Sequence, residues 1–345
     1  MTGKEIILKA FNFEPTPRIP VAILDGYVWM LRRNQISFKE FFELEDYGAA
    51  IAIEAFDDWE SDMVHSNMHA INYLFEIMGG TICADKAGEA FEVTKPPLDA
   101  ITDIEKYNVD EVWEALKNRP EYIAHIKLME KLKEHYGDEK LVIAGSVAPL
   151  SLAGMLRGVQ NFMTEIFDEE DAVEQILEFT TELLIRHCEL QIAHGAEAVF
   201  VADPVASGDL ISPAMFEEFA FPYIKKMTDA LSKYNVPFLL HMCGHTQARL
   251  EPLKEAGIQG FSLAAVDLKE ALDTAKGSYA IFGNMDPFAV LQSLSVEGVY
   301  EHCKNLGEIA GLNGGYVMMP GCDLAPATPL ENIKAMVKAA YDVTN

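Results

Sequence analysis

Short, almost uninterrupted apolar runs, separated by longer stretches with helical spacing, set the rhythm of this chain. IPVAIL (19–24), LVIAGS (141–146), AVFVAD (198–203), VPFLLHM (236–242), IQGFSLA (258–264), YAIFGN (279–284) and GGYVMMP (314–320) are apolar at nearly every position. A strand with one wet face alternates apolar and polar residues, whereas a strand buried on both faces does not. These runs therefore predict parallel strands in the interior of an α/β fold. A further strand is expected near 55–63, where the pattern marks it poorly.

The intervening stretches carry the helical period. After Asp168, expected to cap, three acidic residues (Glu169, Glu170, Asp171) suit the first turn, and Val173, Ile176, Leu177, Leu184 and Cys188 form one stripe. His194-Gly195 supplies the stop before the next strand. The same logic predicts helices over 213–234, 247–256, 268–275, 296–311 and 330–342. Repeated βα units with short connections imply a parallel sheet, either doubly wound or closed. A doubly wound sheet usually brings a glycine-rich phosphate loop after its first strand, but here that strand runs into LDGYVWML, which has none. The expectation is a TIM (β/α)8 barrel with a helical N-terminal elaboration, one domain over 1–345.

Composition narrows the partners. A formal charge of −27 over 345 residues repels phosphate backbones and anionic headgroups, so nucleic-acid and membrane-surface roles are disfavoured. The first residues lack a basic stretch followed by an apolar core, so no signal peptide is expected, and no apolar run is long enough to span a bilayer. Five scattered cysteines argue against a disulfide framework and for a reducing cytoplasm.

In a TIM barrel the reactive groups sit at the C-terminal ends of the strands. Those positions hold Ser146, Asp203 with Pro204 and Ser207, His241 with Cys243, Ser262, Asn284 with Asp286, and Cys322 with Asp323. In extended chain alternate residues point to one side, so His241 and Cys243 of H-M-C-G can face one point. With Cys322 they would make a soft three-coordinate set suited to Zn²⁺ with one position open, as catalytic sites keep it. On spacing alone, a core histidine and two buried filler cysteines are an equal reading, since free cysteine is often buried. Cys83, Cys188 and Cys303 occupy no strand end, and His245 is expected to point away at the start of the next helix. Asp203, closing a buried strand, must be paired, capped or facing the mouth; Asn284 and Asp286 invite the same alternatives. The stretches 63–68 and 316–319 read as core or pocket wall.

FEIMGG (75–80), SVAPLSLAGMLRG (146–158), DPVASGDLISPAMFEEFAFPY (203–223), GNMDP (283–287) and PATPLENIKAMV (326–337) together resemble the uroporphyrinogen decarboxylase superfamily, whose fold is a TIM barrel. The chain departs from the decarboxylase branch where that branch keeps its chemistry. The catalytic aspartate position falls on His69-Ala70, the histidine position on Cys322, and the arginine-rich opening is reduced to Arg32 and Arg33. It is similar instead to the cobamide-dependent methyltransferase branch, including the methylcobalamin:coenzyme M enzymes, marked by H-x-C and a distant cysteine. That resemblance implies zinc on His241, Cys243 and Cys322. It also implies a methyl-corrinoid presented by a carrier protein, and transfer to or from a small thiol or methyl donor. Asp203 and Asn284 would then be catalytic, with Ser146 and Ser207 beside them in the small-molecule pocket. A metal-free tetrapyrrole decarboxylase and a non-enzymatic carrier-docking subunit are the alternatives.

Overall fold

The computed structural model describes residues 1–344. Seven parallel strands follow one another around a curled sheet: β1 (Met63–His65), β4 (Leu141–Val147), β5 (Ala198–Ala202), β6 (Phe238–His241), β7 (Gly260–Ser262), β8 (Ala280–Met285) and β9 (Tyr316–Pro320). Between the first two, β2 (Thr81–Cys83) and β3 (Glu92–Lys95) form a separate antiparallel ribbon. The apolar runs from 141 onward thus become the strands they predict, trimmed at their ends.

The run at 19–24 completes the barrel in another way. It makes only a single parallel bridge, Val21 to Met318 of β9. On that side Ala22 N–H donates to Met318 O (3.0 Å) and Met318 N–H to Pro20 O (2.9 Å). Toward β1, the Val21 N–H donates instead to the Asp62 carboxylate at 2.9 Å, while Asp62 N–H reaches Val21 O at 2.8 Å. On this edge a side chain thus takes the place of a backbone rung. Arg18 holds that carboxylate with two bonds of 2.7 and 2.6 Å, the fork geometry that orients a carboxylate best.

Alternate residues of each strand fill two compartments. Leu141, Ile143, Phe200, Leu239, Phe282 and Met319 face inward and pack together with Ile7 and Phe11 of the helix Gly3–Phe11, which plugs the N-terminal opening. Their neighbours, such as Val142, Ala144, Val199 and Val201, face outward into the larger core under the helices.

Three local expectations are corrected. The stretch 55–63 is mostly the end of the helix Glu45–Asp58, and the strand there has three residues only. Glu169 rather than Asp168 stands at the start of Glu170–Ala193, because Asp168 N–H turns back to Glu165 O. The stripe Val173, Ile176, Leu177, Leu184 and Cys188 is nevertheless buried. Over 247–256 the chain makes two 3₁₀ turns, Gln247–Arg249 and Pro252–Glu255, since Pro252 cannot continue a helix ladder. Among the described residues no helix is long and apolar enough to cross a membrane.

Candidate metal centre

β6 ends on His241, on the inward side of the barrel, and Met242 N–H still pairs with Ser262 O (3.1 Å), keeping the chain extended as far as Cys243. Gly244 then turns at φ +67°, where a Cβ would stand 1.8 Å from Asp209 Oδ2. The same Asp209 receives His245 N–H at 3.0 Å and pairs with its Nδ1 at 2.6 Å, so His245 lies exposed outside the site.

Cys322 arrives from three strands away. After β9, Gly321 N–H donates to Met285 O of β8 (2.8 Å), and Gly321 lies against Ala264, just beyond β7. The chain leaving β9 therefore leans across β8 and β7 toward β6. Cys322 Sγ comes to 3.2 Å from Cys243 Sγ, which lies 3.0 Å from His241 Nε2. The ligating atoms of His241, Cys243 and Cys322 all fall within 4.8 Å of one another.

The donor set fits a soft divalent metal in more than proximity. Ser262 Oγ stands 2.9 Å from His241 Nδ1, so that nitrogen is occupied and Nε2 is left for a ligand, the outer-sphere arrangement common to metal-bound imidazoles. Hydrogen bonding from Cys243, reinforced by His241, holds the Cys322 thiol down at about 4, and Cys243, the donor to it, is pushed above the ordinary thiol range. One thiolate is thus favoured before any cation binds, and thiolate is the ligating form.

The other expected residues divide. Asp203 is fully buried beside β6, its N–H on His241 O at 2.8 Å. Its Oδ1 accepts Ser151 Oγ–H at 2.6 Å, while Oδ2 has no partner; burial raises the carboxyl to about 6. Asn284 lies on the inward side of β8, its Nδ2 donating to Val266 O (2.6 Å). Ser207 is buried in the loop after β5, where its carbonyl accepts the N–H groups of Leu210 and Ile211. Asp286 caps the turn Pro287–Gln292 through Phe288 N–H and Ala289 N–H. Ser146 is not brought to the pocket. It follows the inward Ile143 and Gly145 by odd steps, so its hydroxyl faces outward and bonds Val147 O at 3.0 Å.

The structure adds residues that sequence reasoning missed. Asp25, the first residue after the apolar run at 19–24, is buried at the mouth between β9 and β1. Its Oδ1 accepts Tyr27 N–H and its Oδ2 lies 3.0 Å from His69 Nε2. Burial opposes its charge, but the His69 hydrogen bond and nearby imidazoles hold it below the ordinary carboxylate range. Asp323, next to Cys322, is raised well above that range by burial and by the charges of Asp25 and Cys322. His65 ends β1 with neither ring nitrogen partnered. Asp25 could have been read as a strand end, but β1 is too short to announce His65.

Residues 2–343 match the uroporphyrinogen decarboxylase (URO-D) family. The methylcobamide:CoM methyltransferase MtbA of Methanosarcina acetivorans is 30% identical over 275 residues, covering 72% of this chain and 79% of that protein. The methylcobamide:CoM methyltransferase MtaA of Methanosarcina barkeri is 28% identical across 98% of this chain and 97% of its own length. Among solved structures, a methyltransferase from Methanosarcina mazei superposes with a TM-score of 0.86 at 26% identity, covering 99% of this chain and 98% of the other.

Proposed function

The chain belongs to the uroporphyrinogen decarboxylase family, and from that membership we propose that it is a zinc-dependent methyltransferase. It would move a methyl group between a corrinoid, presented by a carrier protein over the barrel mouth, and a small thiol or methyl donor. The observation that carries the reading is the cluster of His241 Nε2, Cys243 Sγ and Cys322 Sγ, three donors with no fourth beside them among the described residues. A tetrahedral metal held by three protein ligands keeps one position for substrate. Relatives named as methylcobamide methyltransferases support the corrinoid as partner.

Zinc at this site would supply Lewis acidity, keeping a bound thiol ionised at neutral pH or polarising the heteroatom of a methyl donor. The chain's own residues do the rest. Ser262 accepts the Nδ1–H of His241 and so keeps Nε2 free and aimed. Cys322 and Cys243 would hold the dication and balance its charge as two thiolates. Asp203 and Asn284 are catalytic in this reading, lining the pocket in which the methyl changes hands, with Ser207 supporting the loop behind Asp203. The reaction takes place in the cytoplasm, within one domain over 1–345.

Purified protein is expected to retain about one zinc per chain and to demethylate methylcobalamin when given a thiol, followed by the corrinoid's visible spectrum. Zinc-free protein as isolated, or full activity in Cys322→Ser, refutes the proposal.

A further inference from the structure

Cys243 stands beyond the last rung of its strand. His241 closes β6, Met242 N–H makes the final bond to Ser262 O, and the turn at Gly244 follows at once. What holds that turn comes from elsewhere, chiefly from the loop after β5.

Asp209 gives both carboxylate oxygens to one residue: Oδ2 accepts the His245 N–H (3.0 Å) and Oδ1 lies 2.6 Å from its Nδ1. Beside it, Gly208 N–H donates to His245 O at 2.8 Å. A Cβ at position 208 would stand 2.4 Å from that carbonyl oxygen, so the two loops meet this closely only because glycine is there. On the other side of the turn, Ala265 N–H reaches Gly244 O at 3.3 Å. The two residues after Cys243 are thus tied to the loops beyond β5 and β7.

The segment that carries Asp209 is itself anchored. Arg249 is fully buried; its Nε donates to Ala206 O (3.1 Å) and its Nη2 to Ile211 O (2.7 Å), on either side of Asp209. Its guanidinium lies over the Phe216 ring at 4.7 Å, and its Nη1 has no partner. Burying a guanidinium so incompletely paired is unfavourable, and what the arrangement achieves is a fixed path for residues 206–211. Asp209 therefore projects from an anchored segment, although its own side chain is half exposed.

We propose that Asp209 is a positioning residue for the metal. Its carboxylate fixes the turn Cys243–His245 and so keeps Cys243 Sγ in place, 3.0 Å from His241 Nε2 and 3.2 Å from Cys322 Sγ. A metal then meets donors already set, without first having to order the turn. The inference rests on the zinc reading above, because Asp209 touches none of the three donors and acts only through the chain that carries Cys243.

The test is metal affinity. Zinc is stripped from the protein and its rebinding is measured by competition against a chromophoric chelator, with Co²⁺ titration as a second readout. Asp209→Ala is expected to weaken zinc about ten-fold, the lower end of the range for outer hydrogen-bond partners of metal ligands. The Co²⁺ form of that variant should lose thiolate charge-transfer intensity, which scales with the number of cobalt–sulfur bonds. Asp209→Asn, whose amide can accept the His245 N–H and donate to Nδ1, should stay within about three-fold of wild type. His245→Ala, which removes only the ring contact, should weaken zinc in the same direction and decides the matter if Asp209→Ala does not fold. Asp273→Ala, which breaks an exposed ion pair with Lys269 elsewhere, should leave the affinity unchanged. The metal-free Asp209→Ala protein should unfold at the wild-type urea midpoint, which separates placement of the ligand from a general loss of stability. Zinc binding within about two-fold of wild type and an unchanged Co²⁺ spectrum overturn the inference and leave the methyl-transfer reading standing. Weaker binding that comes with a lower midpoint of the metal-free protein overturns it too. Wild-type protein that takes up neither metal overturns both.

Discussion

Ser262→Ala removes one hydroxyl from behind the proposed metal, and its effect can be worked from the geometry. Ser262 and His241 are both buried, and Oγ lies 2.9 Å from Nδ1. Without the hydroxyl, an Nδ1–H would be left unpartnered, a cost of about 1–3 kcal/mol. The imidazole escapes that cost by moving its proton to Nε2, where Cys243 Sγ waits at 3.0 Å. Zinc must then displace the proton from the nitrogen it needs. Loss of an outer hydrogen bond to a metal-bound histidine weakens binding about 10–100-fold, or about 1.4–2.7 kcal/mol. Competition against a chromophoric chelator measures the dissociation constant directly, and Ser262→Thr, which keeps a hydroxyl, should stay near wild type. An alanine variant within about two-fold of wild type, far short of that range, would refute the argument.

Other parts of the fold make separate predictions. Gly244→Ala should lower zinc occupancy, checked by metal analysis, because its Cβ would collide with Asp209 Oδ2 at φ +67° and push Cys243 out of place. Asp62→Ala should cost about 3 kcal/mol or more in urea unfolding, since it strands Arg18 and leaves Val21 N–H without its acceptor at the barrel seam. His187 is fully buried, bonded to Tyr122 and Gly145, and burial depresses it from 6.5 to about 3. A base depressed in the folded state gives stability that is present above its unfolded pKa and lost as pH falls. By pH 5 the loss is about 2 kcal/mol, so His187→Gln should flatten the fall in stability between pH 7 and 5 by that amount. Equal slopes for the two proteins would overturn the assignment.

Most of the strands and the His241–Cys243 pair were legible because their signals are local. A run such as AVFVA (198–202) can be apolar at every position only if both faces are covered, and β5 is buried along most of its length. Likewise His241 and Cys243 share a side because extended chain repeats every two residues, a relation the fold could only preserve. Strand ends were harder. Ser146 closes a strand, but its side chain falls on the outer parity of β4. Nothing in the residue type reveals which parity faces the axis.

What needed the tertiary structure was every relation between distant segments. On the β1 side a carboxylate rather than a backbone carbonyl takes the Val21 N–H, and only the fold brings Asp62 and Arg18 to close that seam. Cys322 could be named from sequence, but its approach to Cys243 depends on Gly321 lying against Ala264, a contact between loops 57 residues apart. The group around Asp25 is likewise a product of folding: Asp25, His65 and His69 belong to short or irregular segments with no periodicity of their own. Sequence alone thus determined most of the strands and helices and the residue types at the strand ends, because burial and periodicity act over a few residues. Barrel closure decided which of those groups meet, because it alone sets distances across the mouth.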